Sequence, residues 1–129
     1  MHAKGGPRPT PPGTLNALFF EAIDKFDKPD ALMVKVGGAY RPISHKTMVE
    51  RVRRAALGMR ALGVKRGDRV ATLAMNHSRH LVAWYGAIGM GGVIHTINPR
   101  LFDEQLVYIA NHAEDRVLLY DKAFQPIVD

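Results

Sequence analysis

The sequence of 129 residues lacks cysteine entirely, has a single tryptophan, and contains no apolar run long enough to cross a bilayer. The absence of cysteine excludes disulfide bridges and thiolate chemistry, and it fits a cytoplasmic protein. The sequence also lacks a GxxxxGK(S/T) phosphate loop, and no GxGxxG motif opens a helix directly after a predicted strand. Neither a P-loop nucleotide site nor a dinucleotide fingerprint is therefore expected.

An excess of basic residues is the second compositional feature. Lysine and arginine number 18 against 12 acidic residues, which gives a net charge of +6. Such a balance suits nucleic acid, phosphate groups or an acidic partner. The basic residues are dispersed, however, and the densest group (Arg51, Arg53 and Arg54) lies on the outer face of a predicted helix, where charged residues are usually solvated. Because no nucleic-acid-binding motif is recognised, no nucleic acid partner is expected.

The stretch from Gly67 to Pro99 predicts a strand–helix–strand unit around which the chain is organised. Residues 69–75 form an apolar run typical of a strand buried on both faces, and residues 93–97 are rich in β-branched side chains. Between them, residues 81–90 are apolar or small at nearly every position, which predicts a helix over 78–90 that is buried all round. Gly91-Gly92 ends this helix, since glycine adopts the left-handed conformation without a Cβ clash.

Short polar segments mark where the predicted helices begin. Asn76-His77-Ser78 offers capping side chains to the helix of the central unit. Thr14 and Ser44 are predicted to cap two earlier helices. Asp103 and Asp121 are predicted to cap two later ones. Side-chain oxygens at these positions can accept hydrogen bonds from the unpaired amides of a first helical turn.

The remaining elements follow from hydrophobic periodicity and turn residues. Residues 1–13 contain four prolines and three glycines and are predicted to be a disordered arm. The other predicted elements are a helix ending before Pro29, a hairpin of strands 31–36 and 39–43, an amphipathic helix over 44–62 with an apolar stripe from Met48 to Leu62, and a strand over 116–120. The even spacing of the later strands predicts an α/β fold over 14–129, a three-layer αβα parallel sheet with a small N-terminal β-hairpin.

Polar residues that follow strand ends are candidate ligand contacts. His77, Arg79 and His80 come after the first strand of the central unit, and Arg100 follows the second. Because open α/β sheets bind ligands at the carboxyl ends of their strands, these four are candidate cofactor-binding residues. Capping, surface or loop-anchoring roles are the alternatives. His77, His80 and His95 lack a carboxylate or cysteine at supporting spacing, so no metal site is expected, and no catalytic triad can be assigned.

Two stretches of this sequence match a known family. The run LGVKRGDRVATLAMNHSRHLVAWYGAIGMGGVIHTINPRL, followed by YIANHAEDRVLLYD, closely resembles the N-terminal region of AMP-forming fatty acyl-CoA synthetases, which belong to the adenylate-forming enzymes. The resemblance extends from about Thr14 to the end of the sequence. The segments NHSRH, GMGGVIHTINPRL and NHAEDRVLLYD resemble the medium- and long-chain branch most.

The resemblance implies a reaction of two steps. A fatty acid carboxylate attacks the α-phosphate of ATP to give an acyl-adenylate and pyrophosphate, and coenzyme A then displaces AMP. Mg²⁺ assists the first step by neutralising phosphate charge. In the family the phosphate loop, the adenine-binding segment and the catalytic lysine all lie downstream of the matched region. The resemblance therefore gives no catalytic residue here, and it implies an inactive N-terminal fragment of a longer ligase, with a homodimer through this region.

Two other functions are compatible with the residues alone. One is a freestanding α/β module that binds a ligand or a protein. The other, a basic nucleic-acid binder, is the weakest hypothesis, because the sequence has no recognised nucleic-acid motif. The final apolar stripe, with Phe124, Ile127 and Val128, stops about two helical turns after Asp121, which suggests a truncated domain. A gene that continues past Asp129 into a Ser/Thr/Gly-rich loop would favour the ligase, whereas a stop codon there would favour the module. The acyl chain length cannot be read from this stretch.

Overall fold

The computed structural model describes residues 14–129, so the arm expected over residues 1–13 lies outside the described residues. In chain order, the elements are α1 (Leu15–Phe26), β1 (Leu32–Val36), β2 (Ala39–Ile43), α2 (His45–Ala61), β3 (Arg69–Leu73), α3 (Ser78–Gly89), β4 (Val93–Thr96), α4 (Asp103–Ala113), β5 (Asp115–Tyr120), a 3₁₀ turn (Lys122–Phe124) and α5 (Gln125–Val128). None of the helices in this part of the chain has the length and hydrophobicity that a bilayer crossing requires.

The main sheet has three strands in the order β4-β3-β5, and both pairings are parallel. Val70 of the central strand lies between Ile94 and Val117 of its two neighbours. The predicted parallel sheet is thus confirmed. β3 ends at Leu73, two residues earlier than predicted, because the amide of Met75 donates to the Asp121 side chain rather than to a neighbouring strand.

Helices cover both faces of this sheet, which confirms the predicted αβα layering. On one face, Val70 and Ala87 form a core with Met59 and Val64. On the other face, Ala71, Leu73 and Ile97 pack against helix α4 through Leu106 and Ile109. Because successive residues of a strand point to opposite faces, Val70 belongs to the first core and Ala71 belongs to the second.

The predicted β-hairpin forms a separate two-stranded antiparallel sheet of β1 and β2. Gly37 and Gly38 both have positive φ angles, of 57° and 83°. A two-residue hairpin turn with both central residues at positive φ matches the right-handed twist of the strands, and glycine adopts it without strain.

The helix caps agree with the sequence in two places and differ in three. Thr14 and Ser44 accept from the amides three residues later, both at 3.1 Å, as predicted. At α3 the cap is the imidazole of His77, rather than a side-chain oxygen. At α4 the N-cap position falls on Phe102, one residue before Asp103. Asp121 precedes the 3₁₀ turn, but its carboxylate makes no cap because it is bound to other partners.

Helix α3 is not buried all round, contrary to its apolar pattern. Only Gly86 and Ala87 are fully buried, and Leu81 is 38% exposed. The helix packs on α2 with one side and faces an open cleft with the other, which explains why an apolar sequence does not imply full burial here. Leu62, expected in the apolar stripe of α2, is also exposed because the helix ends one residue before it.

Helix α3 ends as predicted at the two glycines. Gly91 has φ = 86°, and the amides of Gly91 and Gly92 donate to the carbonyls of Ile88 and Ala87. This is the hydrogen-bond pattern of a Schellman motif, which pairs the last carbonyls of the helix. The chain then enters β4 at Val93.

Candidate functional site

A cleft of about 970 Å³ opens at the carboxyl ends of β3 and β4. One wall is apolar and comes from strand β1 and from Leu81, Trp84 and Tyr85 of helix α3. The floor is polar and comes from the loops that follow the two strands, including His77 and His80. A concave, mostly apolar site with a few convergent polar groups is the usual form of a small-molecule site.

His77 makes two contacts at the floor of this cleft. Its Nδ1 accepts a hydrogen bond of 3.1 Å from the amide of His80, and its Nε2 lies 2.8 Å from a carboxylate oxygen of Asp121. Because Nδ1 accepts, the ring proton of the neutral imidazole is on Nε2, which donates to Asp121. A single side chain therefore caps helix α3 and holds the residue that follows β5.

Asp121 joins the loop after β3 to the end of β5. Its Oδ2 accepts from the amide of Met75 at 2.8 Å, in addition to the contact with His77. The Met75 amide lowers the pKa of Asp121 most, the His77 ring and the charge of His80 lower it further, and burial partly opposes them. This role of Asp121 was not predicted from the sequence. The signal for this role is the parallel pairing of β3 with β5, because that pairing places the carboxyl ends of the two strands side by side.

His80 also has both ring nitrogens engaged. Nδ1 lies 3.2 Å from the carbonyl of Met75, to which it donates, and Nε2 lies 2.9 Å from the hydroxyl of Thr72. A hydroxyl beside an imidazole is the arrangement of an activated nucleophile. Thr72 is only 1% exposed, however, so its hydroxyl cannot reach a substrate. This pair therefore holds the ring of His80 in place.

The structure separates His95 from the other two histidines. His95 lies opposite Ala71 in the sheet, on the face that α4 covers, whereas His80 contacts Thr72 on the opposite face. The His95 Nδ1 is 2.8 Å from Asp115, whose side chain is 7% exposed. Among residues 14–129, no group of three His, Asp or Glu side chains is placed to hold a metal ion.

Arg79 and Arg100, the other two candidates from the sequence, do not line the cleft. Both residues are exposed. The loop at Arg100 is held by Asn98, whose side-chain oxygen accepts from the Arg100 amide at 3.0 Å. The structure thus brings His77 and His80 together at the cleft and leaves the two arginines outside it. Chemically, the arrangement is a shaped binding surface in which the ring nitrogens of His77 and His80 are all engaged by protein groups.

A family model described as AMP-binding enzyme matches residues 19–128. The long-chain-fatty-acid–CoA ligase of Thermus thermophilus is 50% identical over 92 residues, which cover 71% of this chain and 17% of that protein. The 3-methylmercaptopropionyl-CoA ligase of Ruegeria lacuscaerulensis is 41% identical over 119 residues, which cover 92% of this chain and 22% of that protein. The chain thus spans about a fifth of the length of the curated relatives it matches.

Solved structures give the same result at the level of the fold. A fatty acyl CoA synthetase of Mycobacterium tuberculosis superposes with a TM-score of 0.78 at 25% identity, over 88% of this chain and 22% of that one. The N-terminal domain of FACL13 from the same organism superposes with a TM-score of 0.75 at 26% identity, over 88% of this chain and 28% of that one.

Proposed function

The chain belongs to the family of AMP-binding enzymes, and on that premise we propose that it is the N-terminal part of a fatty acid–CoA ligase. The observation that carries the proposal is the match of residues 19–128 to the family, together with relatives whose names specify long-chain and medium-chain fatty-acid–CoA ligases. AMP-forming CoA ligases use ATP and CoA, and these are the proposed substrates together with a fatty acid.

The proposed reaction has two displacements. A carboxylate oxygen of the fatty acid attacks the α-phosphorus of ATP, and pyrophosphate leaves with its electron pair. The sulfur of CoA then attacks the acyl carbon, its proton passes to solvent, and AMP leaves. Positive groups that face the phosphates stabilise the charge that develops in the first step. We propose that these groups lie in sequence beyond residues 14–129, because the chain matches only 17–22% of the curated relatives' length.

In this proposal the described residues build the scaffold and one wall of a binding cleft. Strand β1 and helix α3 supply apolar surface suited to an acyl or aromatic group. His77 and His80 shape the polar floor, and Asp121 fixes the loop that carries them. Arg79 and Arg100 are exposed near the same ends of the strands, and their guanidinium groups suit a phosphate or carboxylate.

Two carboxylates beside the sheet, Asp121 and Asp115, are already engaged by other groups of the protein. Mg²⁺ prefers oxygen ligands, usually one or two carboxylates with substrate phosphates and water. The carboxylate of Asp121 is bound to an amide and an imidazole, and Asp115 is bound to His95. We therefore assign no magnesium ligand to residues 14–129.

The identity of the acid has a second candidate. The 3-methylmercaptopropionyl-CoA ligases of two Ruegeria species match at 41% and 47% identity, close to the 50% of the Thermus long-chain ligase. A short thioether acid is thus the alternative substrate. We propose the fatty acid first because both long-chain and medium-chain ligases are among the relatives. The cytoplasmic location and a homodimer through this region stay predictions of the same proposal.

Pyrophosphate release from ATP tests the function. The assay uses the full-length protein that carries this chain, with fatty acids from short to long and with 3-methylmercaptopropionate. Release that depends on a medium or long fatty acid is the expected result. Release with only the thioether acid would select the second candidate, and no release with any acid would contradict a CoA ligase. The 129-residue chain alone is expected to release none. Release by it above a heat-killed control would show that the chemistry resides in these residues.

A further inference from the structure

The net charge of the chain is concentrated in one segment. Residues 45–66, which form helix α2 and the turn after it, contain seven of the 18 basic residues and one of the 12 acidic residues. The charge of this segment alone is +6, equal to the net charge of the whole chain. Basic and acidic residues balance over the rest of the sequence, so residues 45–66 are the strongly charged part of this chain.

An exposed leucine lies at the centre of this basic surface. Leu57 is 61% exposed. Residues three and four apart share a helix face, so Arg53, Arg54 and Arg60 surround it. Leu62, which follows the helix, is 63% exposed. The buried face of α2, formed by Met48, Val49, Val52 and Met59, points the other way into the core.

Most of these charges are not neutralised within the described residues. Arg54 is paired with Glu50 at 2.7 Å, but both side chains are largely exposed, at 76% and 62%. Such surface pairs contribute little energy and leave both groups available to other partners. Arg53 lies over the ring of Phe20 at 6.0 Å, so it also packs on α1.

We propose that the outer surface of α2, defined by Arg51, Arg54, Leu57, Arg60 and Leu62, binds an anionic lipid surface. Basic residues near such a surface are attracted by its negative potential, and each adds to the affinity. Leucine at the centre of the patch can enter the boundary between headgroups and acyl chains, while the long arginine side chains keep their charges in the headgroup layer. This proposal goes beyond the proposed ligase function and does not depend on it.

The shape of the patch favours a deformable surface over a folded partner or nucleic acid. It is the convex outer side of a single helix, whereas the 970 Å³ cleft is lined by β1, α3 and the strand ends. Protein interfaces usually rely on anchor residues that fill pockets on the opposite side. Binders of single-stranded nucleic acid stack bases on aromatic side chains, and this patch has none.

Vesicle co-sedimentation of the purified full-length protein that carries this chain tests the proposal. Vesicles of phosphatidylcholine with added phosphatidylglycerol are expected to retain the protein at low salt and to release it at high salt, and pure phosphatidylcholine is expected to retain little. The triple variant Arg51→Gln, Arg54→Gln, Arg60→Gln is expected to partition roughly a hundredfold less, since each basic residue contributes about a factor of five. Leu57→Ser is expected to weaken binding without removing its dependence on anionic lipid.

A charge-matched variant gives the control. Lys28→Gln, Arg41→Gln and Lys122→Gln remove the same charge from exposed positions outside α2, and this variant is expected to stay close to the unaltered protein. Equal losses in both triple variants would overturn the proposal, because binding would then follow net charge alone. Equal binding to neutral vesicles would also overturn the proposal. So would binding to duplex DNA or polyglutamate without binding to anionic vesicles. Far-UV circular dichroism confirms that each variant is folded.

Discussion

The Nε2 atom of His77 lies 2.8 Å from the carboxylate of Asp121, a residue 44 positions later in the chain. This contact joins the start of helix α3 to the end of strand β5. Because the amide of Met75 donates to the same carboxylate, the loop after β3 is held at two points. We call these three residues, His77, Asp121 and Met75, the strand-end clasp. Asp121 thus connects the loop that forms the floor of the cleft to the end of β5.

A double-mutant cycle measures the clasp. His77→Ser keeps a side-chain oxygen for capping α3 but removes the contact with Asp121, and Asp121→Ala removes the carboxylate. Asp121→Ala is expected to cost about 1–3 kcal/mol, because the Met75 amide also loses a charged acceptor. The coupling between the two substitutions is expected to be about 1 kcal/mol, measured by urea unfolding of the purified protein.

The surface pair Glu50–Arg54 is the matched control for that cycle. Its atoms lie 2.7 Å apart, close to the 2.8 Å of His77 and Asp121. Both side chains of this pair are largely exposed, and they lie four residues apart on one helix. Its coupling is expected to be no more than about 0.5 kcal/mol. If the two pairs gave the same coupling, the strand-end clasp would be no more than a surface ion pair.

The stability of the protein should depend on pH through Asp121. Its pKa is lowered from the ordinary 3.8, chiefly by the Met75 amide. A lowered pKa in the folded state stabilises the protein above the unfolded pKa, and this stabilisation is lost as the pH falls through the folded pKa. The free energy of unfolding should therefore exceed that of Asp121→Asn near pH 5, where the carboxylate is ionised in both the folded and the unfolded protein.

That difference should shrink as the pH falls below the ordinary value of 3.8. The measurement is urea unfolding of both proteins at a series of pH values. Because the same substitution leaves all other carboxylates in place, their titration cancels in the comparison. A difference that grows on acidification would show that the carboxylate is destabilising in the folded protein, contrary to its contacts.

Trp84 is expected to report on the cleft. It is the sole tryptophan, it lines the cleft from α3, and its ring lies edge-to-face with Tyr85 at 5.2 Å. A decanoate or dodecanoate probe that enters the cleft should change the intrinsic fluorescence, which comes mainly from this ring. Trp84→Phe should abolish the signal while keeping the apolar wall.

A fluorescence change in the unaltered protein would place the probe near Trp84, and binding that persists by calorimetry in Trp84→Phe would show that phenylalanine keeps the apolar wall intact. Calorimetric binding to the unaltered protein with no fluorescence change would place the fatty acid elsewhere. Because Trp84 is only partly buried, Trp84→Ala is expected to cost about 1–3 kcal/mol, below the 3–5 kcal/mol typical of a fully buried tryptophan.

The sequence predicted the strands and their parallel order because those features depend on local patterns. The apolar run of β3, the β-branched residues of β4 and the glycines after α3 each carry their signal within a few residues. The hairpin glycines and the caps at Thr14 and Ser44 are equally local. Such patterns determine which elements form, and the crossover rule then limits how the strands pair.

The functional details depended on contacts between distant residues, which the sequence does not reveal. Nothing near Asp121 indicates that its carboxylate meets Met75 and His77 rather than capping a helix. His95 is the same type of residue as His77 and His80, so the sequence suggests a shared site. Side chains alternate along a strand, however, and this places His95 on the opposite face of the sheet from His80. The apolar pattern of α3 could not distinguish a helix buried on every side from one that lines an apolar cleft.

The contact between α2 and α3 predicts opposite effects for two glycines in neighbouring helices. A Cβ atom at Gly86 would lie 3.1 Å from the Cβ of Ala55, 3.3 Å from the amide of Ala56 and 3.4 Å from the carbonyl of Val52. Two of these neighbours are backbone atoms of α2, which cannot turn away. Gly86→Ala is therefore expected to destabilise the protein by about 1–3 kcal/mol, because the overpacking outweighs the gain in helix propensity.

Gly58 is the matched control, since it lies in α2 with nothing within 4 Å of a Cβ built on it. Gly58→Ala should stabilise the protein by about 0.4–1 kcal/mol, because alanine reduces the conformational freedom of the unfolded chain without a clash in the helix. Thermal unfolding of the two variants measures both effects under the same conditions. A stabilised Gly86→Ala would mean that α3 can move away from α2. The angle at which α3 leaves the sheet, and hence the apolar wall of the cleft, would then not be set by this close approach.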